Sequence, residues 1–157
     1  MRRTDRAVND EQQIIKIIDN AKILHLGMIN GAHPYIVPLH YGYDYKNGKL
    51  TFYMHGAKEG QKYDIIKNNP NVFVELETDT ELISGGDIPC RYGSAYASVM
   101  GEGKAIIVKD IGEKKYGLEL LMKNQTGKTF TVTEEMTDNV NVIKVVVSTF
   151  TAKAKAK

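Results

Sequence analysis

The chain has 157 residues, a formal net charge of +2, one cysteine and no tryptophan. That length suits one domain, large enough to bury a full core without staples. A lone cysteine excludes an internal disulfide framework, and no stretch approaches the 18 apolar residues of a membrane span. Lys153, Lys155 and Lys157 carry three positive charges at one end. Removing those three from +2 leaves −1 for the rest, so the basicity is a tail and not a nucleic-acid-binding face. Residues 1–10 lack the apolar run of a secretory signal, and a single thiol suits a reducing compartment, so a cytoplasmic location is expected.

Residues 10–20 carry Ile14, Ile15, Ile17 and Ile18 on one helical face, with Asn9 or Asp10 as cap. Residues 23–29 then read as a strand, Asn30-Gly31 as a hairpin turn and residues 34–43 as the returning strand. Pro38 inside that return predicts an edge position or a bulge, which would aim Leu39, His40 and Tyr41 at a site. After the turn at 45–48, residues 49–54 form a third strand, with Leu50, Phe52 and Met54 on one face and Thr51, Tyr53 and His55 on the other.

Gly56 ends that run, and residues 59–69 read as a helix closed by Pro70. Between them, Gly56-Ala57-Lys58-Glu59-Gly60-Gln61-Lys62 combines a strand end, a small-residue loop, a helix start and a cation. Free N–H groups at a helix start suit an anion such as a phosphate. Gly60 permits close approach, and Lys62 adds a point charge. The same residues also describe an ordinary surface loop.

Residues 71–78 form a strand, and residues 80–93 read as a long irregular loop containing Cys90. Residues 96–108 form a long strand with a bend or bulge at Gly101 and Gly103. A helix over 111–123, a short helix over 133–138 capped by Thr133, and a closing strand over 141–151 follow. The domain is expected to span residues 1–151, with residues 152–157 a frayed Lys/Ala tail. The expectation is a mainly β (α+β) fold, a six-stranded antiparallel barrel with peripheral helices.

No HExxH, CxxC, GxSxG or strand-linked GxGxxG occurs, and Gly127-Lys128-Thr129 lacks the earlier glycine of a P-loop. No metal site is expected. His40 and His55 fall on neighbouring strands, either as hydrogen-bonded strand histidines or as ligand contacts. A protein without a metal set, a nucleophile triad or a nucleotide fingerprint binds a ligand or takes its chemistry from a cofactor.

Several segments, taken in order, carry a family resemblance: Met1-Arg2-Arg3 with Asp5-Arg6, residues 38–43 (PLHYGY), residues 52–57 (FYMHGA) with Gly60 and Lys62, Asn69-Pro70-Asn71-Val72, and Tyr96-Ala97-Ser98-Val99 with Gly101 and Gly103. Together they resemble the nitroimidazole reductase branch of the pyridoxamine 5′-phosphate oxidase-like flavoproteins. The match covers about residues 1–110 well and the remainder loosely. The resemblance implies an FMN-binding split barrel whose FMN sits at a homodimer interface. It places the FMN phosphate on Gly56, Ala57, Gly60, Gln61 and Lys62. Pro38, Leu39, His40, Tyr53, Met54 and His55 would line the flavin ring, and the second subunit would bring Tyr96 and Ser98. The implied activity is reduction of flat nitro compounds such as 5-nitroimidazoles, with His55 favoured over His40 as proton donor. A flavin- or haem-binding carrier or sensor without turnover is the alternative on the same barrel. No nucleic acid or membrane partner is expected. The substrate-phosphate arginines of true pyridoxamine phosphate oxidases have no counterpart, since Arg91 is the only arginine after Arg6.

Overall fold

The computed structural model describes residues 2–156, so Met1 of the N-terminal motif and Lys157 lie outside the described residues. The strands are β1 (Ala7–Val8), β2 (Ile23–Asn30), β3 (His33–Lys46), β4 (Lys49–Gly56), β5 (Asn71–Ile83), β6 (Gly93–Val108) and β7 (Asn141–Lys155). The α-helices are α1 (Glu11–Asn20), α2 (Gln61–Asn68) and α3 (Ile111–Thr126). All strand pairings are antiparallel, in the order β1-β7-β4-β3-β2-β5-β6. A further β6–β7 pairing closes strands β2 to β7 into a ring of six. The expected six-stranded barrel is therefore present, and β1 is an added seventh strand.

β1 also corrects the reading of the tail. Ala7 pairs with Lys153 and Val8 with Ala152, while β6 pairs with β7 as far as Lys155. Ala152 is buried. The stretch expected to fray is strand up to Lys155, because two neighbours supply its hydrogen bonds. Alanine and lysine have little strand propensity, so tertiary pairing overrides composition here.

Alternation fills the barrel. Leu24 and Leu26 of β2, Tyr41 of β3, Leu50, Phe52 and Met54 of β4, Val74 and Leu76 of β5, Val99 of β6, and Ile143 and Val145 of β7 are all buried in one core. Ile14, Ile17 and Ile18 of α1 add to it, as do Tyr63, Ile65 and Ile66 of α2. Asp10 caps α1 by accepting from the Gln13 N–H at 2.9 Å, and Asp110 caps α3 by accepting from the Glu113 N–H at 2.8 Å. Between Lys46 and Lys49, Asn47 and Gly48 both take positive φ, as a tight hairpin turn requires.

Two of the irregular stretches differ from expectation. The stretch after Thr78 is not irregular throughout. β5 continues to Ile83 and pairs with Gly93, Ser94 and Ala95 after a register shift between Thr78 and Glu81. Its sequence, DTELI, lacks clean alternation, which hid the strand. The helix near residue 135 is a three-residue 3-10 turn, Glu135–Thr137, whose cap position is Glu134 and not Thr133. The bulge expected near Gly101 and Gly103 is present. The register jumps from Glu102↔Thr149 to Gly103↔Val147, leaving Ser148 as the extra residue on β7.

The barrel is split at β3. Residues 33–40 pair only with β2, and residues 41–46 pair only with β4. Pro38 sits in an unbulged register opposite His25, so the edge explanation of this proline holds and the bulge does not. Where β3 leaves β2, α3 covers the freed edge: Asn124 Nδ2 and Gln125 Nε2 both donate to the Tyr41 carbonyl, at 3.0 and 2.9 Å. Such cover satisfies backbone groups that would otherwise invite strand addition.

The Tyr41 phenol anchors the same corner. Its oxygen lies 2.6 Å from the Ile18 carbonyl and 2.8 Å from the Ala21 carbonyl, at the end of α1. Burial pushes this phenol well above the ordinary tyrosine pKa, so it stays a neutral donor. Tyr41→Phe leaves buried carbonyls without their donor, and we expect a stability loss of about 1–3 kcal/mol. Urea denaturation measures it; an unchanged midpoint would mean that water replaces the phenol without penalty. Among the described residues, no helix is long and apolar enough to cross a membrane.

Candidate functional site

The split in the barrel creates the site. In the β3–β4 ladder Tyr41 pairs with Met54, both in the core. One step further, where the ladder ends, the same register sets His40 opposite His55. Both histidines therefore lie on the outer face of the sheet, at the point where β3 turns away to β2. His40 Nδ1 is 3.1 Å from the Lys22 carbonyl. Burial lowers the His55 pKa below the ordinary histidine value, and the charges of His40 and Lys62 lower it further. The two histidines and Lys62 thus form one electrostatic cluster.

β4 then runs into the loop. Gly56 pairs with Asn141, whose Nδ2 donates to the Lys58 carbonyl at 2.7 Å and so holds the loop to β7. Gly60 precedes α2 with φ +145°, a backbone that side chains rarely permit. It provides no side-chain cap, so the first N–H groups of α2 lack that partner. Lys62 Nζ lies 4.6 Å from the centroid of the Tyr63 ring. A Cβ on Gly56 would stand 2.6 Å from the Tyr63 hydroxyl and 3.0 Å from Lys62 Nζ; one on Gly60 would stand 3.8 Å from the same nitrogen. The ammonium is therefore folded between two glycines. The Tyr63 hydroxyl is buried and has no hydrogen-bond partner among the described residues.

The sequence-derived candidates separate into three groups. His40, His55, Gly56, Gly60 and Lys62 converge at the loop, with Ala57 and Gln61 exposed on it. Pro38 is exposed on the free edge of β3, while Leu39 leans on the core. The second group is withdrawn. Met54 is fully buried in the barrel. The Tyr53 ring lies under α3, where a Cβ on Gly117 would meet it at 2.6 Å. It packs edge-to-face on Tyr116 at 5.8 Å, and its hydroxyl reaches Glu113 at 3.4 Å. Burial pushes its phenol up to about 12. Only the backbone of these two residues is available to line a site. The physical reason is α3, which covers the outer face of β4 up to Tyr53 and leaves His55 open.

Tyr96 and Ser98 form the third group, at the other end of β7. Val142 is the β7 neighbour of His55, whereas Lys153 is that of Ser98 and Lys155 that of Tyr96. Along the strand, Val142 to Lys153 is roughly 35 Å at ~3.3 Å per residue. The Tyr96 hydroxyl accepts from Arg6 at 3.3 Å, and the cations Arg6, Lys153 and Arg3 lower its pKa. The 84–92 tip bearing exposed Cys90 belongs to this end too, away from His55 within one chain.

Sequence reasoning missed Tyr63, which falls within the helix read over 59–69, and Asn141, read only as a strand start. A polar atom on an apolar face was the available signal for the first. The clamp made by Asn141 carried none, because its partner Lys58 is far away in sequence. Among the described residues no cluster of metal ligands occurs.

The lowered His55 pKa sets a pH dependence. The unfolded chain takes up a proton near the ordinary histidine pKa of about 6.5, before the folded chain does. Stability is then fully present above pH ~6.5 and falls as pH drops toward the lower folded value. His55→Gln should flatten the slope of melting temperature against pH in that window. An unchanged slope would place the titration elsewhere.

Residues 10–154 match the pyridoxamine 5′-phosphate oxidase family. A crystal structure from Bacteroides thetaiotaomicron VPI-5482, of a protein proposed to confer 5-nitroimidazole antibiotic resistance, superposes with a TM-score of 0.78 at 30% identity. It covers 94% of this chain and 86% of its own. General stress protein 26 of Bacillus subtilis is 26% identical over 110 residues, 70% of this chain and 69% of its own. The FAD and heme binding protein of Mycobacterium smegmatis shares the fold, with a TM-score of 0.78 at 12% identity over 97% of this chain and 74% of its own.

Proposed function

This chain belongs to the pyridoxamine 5′-phosphate oxidase family, and on that basis we propose that it is an FMN-binding oxidoreductase acting on flat nitro compounds as a homodimer. The observation that carries the cofactor is the Gly56–Lys62 cradle. It has one glycine at positive φ, a second whose Cβ would crowd the ends of Lys62 and Tyr63, a folded-back ammonium, uncapped N–H groups and a buried hydroxyl without a partner among the described residues. A phosphate fits this donor set, because Lys62, the first N–H groups of α2 and the Tyr63 hydroxyl can all donate to it, while the Glu59 carboxylate is exposed on the loop. Lys62 would turn from the Tyr63 ring to the phosphate, and the α2 N–H groups would bind its oxygens.

Bound FMN supplies two-electron chemistry and a flat ring on which a substrate stacks. The chain supplies orientation and protons. The free edge of β3 at residues 34–40 offers backbone groups to the polar rim of the ring. His55 delivers a proton to an oxygen of the nitro group as that oxygen leaves as water. A depressed pKa makes its protonated form a stronger acid but a scarcer one, so proton delivery by His55 rises as pH falls toward its lowered value. The external reductant is of the nicotinamide class. With such a hydride donor, each two-electron turn consumes one further proton, converting the nitro group to nitroso and water.

The separation of Tyr96 and Ser98 from His55 is the observation that supports the dimer in this reading. Within one chain they occupy opposite ends of β7, and a second copy can bring them to the first copy's cradle. The outer sheet face presents Ile36, Gly27 and Phe73 in one cross-strand row, with Ile36 63% and Phe73 45% exposed. An apolar row of that kind suits contact with another protein surface.

The test is anaerobic. The FMN-loaded protein is reduced by a nicotinamide cofactor and then exposed to a 5-nitroimidazole. Reoxidation that tracks loss of the nitro band supports turnover, and His55→Gln slows it. Reduced protein that ignores the nitro compound leaves a carrier. The His40–His55 pair favours one further reading, haem ligation, for which a Soret band in the purified protein is the signature.

A further inference from the structure

A separate cleft of about 560 Å³ is walled by the end of α1, by β3 and by the last turns of α3. No residue of the Gly56–Lys62 loop lines it. Two helices end there, so carbonyl groups give it negative potential. Lys22 answers part of that field, donating to the Asp19 and Asn124 carbonyls, both at 2.7 Å. Lys123 is exposed and solvated. Two carboxylates face the opening. Asp19 accepts from the Tyr43 hydroxyl at 2.7 Å, and Asp44 accepts from Tyr116 at 3.0 Å and from exposed Lys46 at 2.9 Å. Each keeps a second oxygen for a further donor.

The remaining walls are apolar or short of donors. The rings of Tyr43 and Tyr45 and the Leu120 side chain line the space. Asn124 Oδ1 is buried without a partner among the described residues. Its amide cannot be reversed, because Nδ2 donates to the Tyr41 carbonyl and a flip would oppose two oxygens. The volume is that of a small-molecule site. We propose that this cleft binds an organic cation, a primary ammonium on a flat apolar body. The ammonium donates to Asp19 and Asp44, and the body stacks on Tyr43 and Tyr45, where ring faces attract positive charge.

The test uses the full chain and two probes of nearly the same shape and opposite charge. Tryptamine and indole-3-propionate are titrated by calorimetry, with and without FMN. Tryptamine should bind once per chain, and indole-3-propionate should not. Asp19→Asn keeps an acceptor for Tyr43, so the fold survives, and it should weaken tryptamine at least tenfold while leaving FMN affinity unchanged. Asp44→Asn provides a second reading of the same loss. Absence of tryptamine binding, equal binding of the anion, or full affinity in both variants would overturn the proposal.

Discussion

Gly42→Val should destabilise the protein by about 3 kcal/mol or more, a larger loss than Tyr41→Phe causes. Gly42 lies in β3 beside α3. A Cβ there would stand 2.1 Å from the Leu121 nitrogen and 2.3 Å from the Leu120 carbonyl carbon. These are backbone atoms of a helix, so no side chain can turn aside and α3 itself must move. The same helix holds the Tyr41 carbonyl through Asn124 and Gln125. Moving it uncovers a strand edge as well as the Tyr53 ring. The variant should therefore unfold at lower urea and gain a tendency to aggregate. A change below about 1 kcal/mol would mean that α3 slides freely over β3 and is not packed against it.

Gly56→Val should abolish most FMN binding while leaving the fold largely intact. The atoms in its way are the ends of side chains, the Tyr63 hydroxyl and the Lys62 amine, which can shift. They shift into the space that the phosphate needs. Lys62→Ala removes one charge-assisted contact, worth ~1.5–3 kcal/mol, or roughly 10–100-fold in affinity. Gly56→Val should exceed that loss, because it displaces the lysine, the tyrosine and the phosphate together. Fluorescence titration with FMN reads both, and full affinity in either variant would remove the phosphate from this loop.

These two glycines show where the sequence was legible and where it was not. The loop at 56–62 could be read because its parts are local: strand, glycine, helix start and cation within seven residues. Gly42 could not, since its neighbour α3 is almost eighty residues away and nothing in PLHYGY announces a helix overhead. The six barrel strands followed from alternation, as Leu50, Phe52 and Met54 illustrate. β1 did not, because two residues carry no period. The AKAKAK end read as a tail because its pairing with Ala7 and Val8 is invisible to composition. Tyr53 and His55 share a face by alternation, yet only one is open, because α3 stops short of the other. Distant packing decides such cases, and local pattern cannot report it.

Whether Gly56–Lys62 holds a phosphate is tested by calorimetric titration of the apoprotein with FMN and with riboflavin, which share the ring and differ in the phosphate. FMN should bind once per chain and riboflavin at least tenfold more weakly, with the difference reduced roughly tenfold or more in Lys62→Ala. Equal affinity for the two, or a phosphate preference undiminished by Lys62→Ala, would contradict the assignment of Gly56–Lys62 as the phosphate cradle.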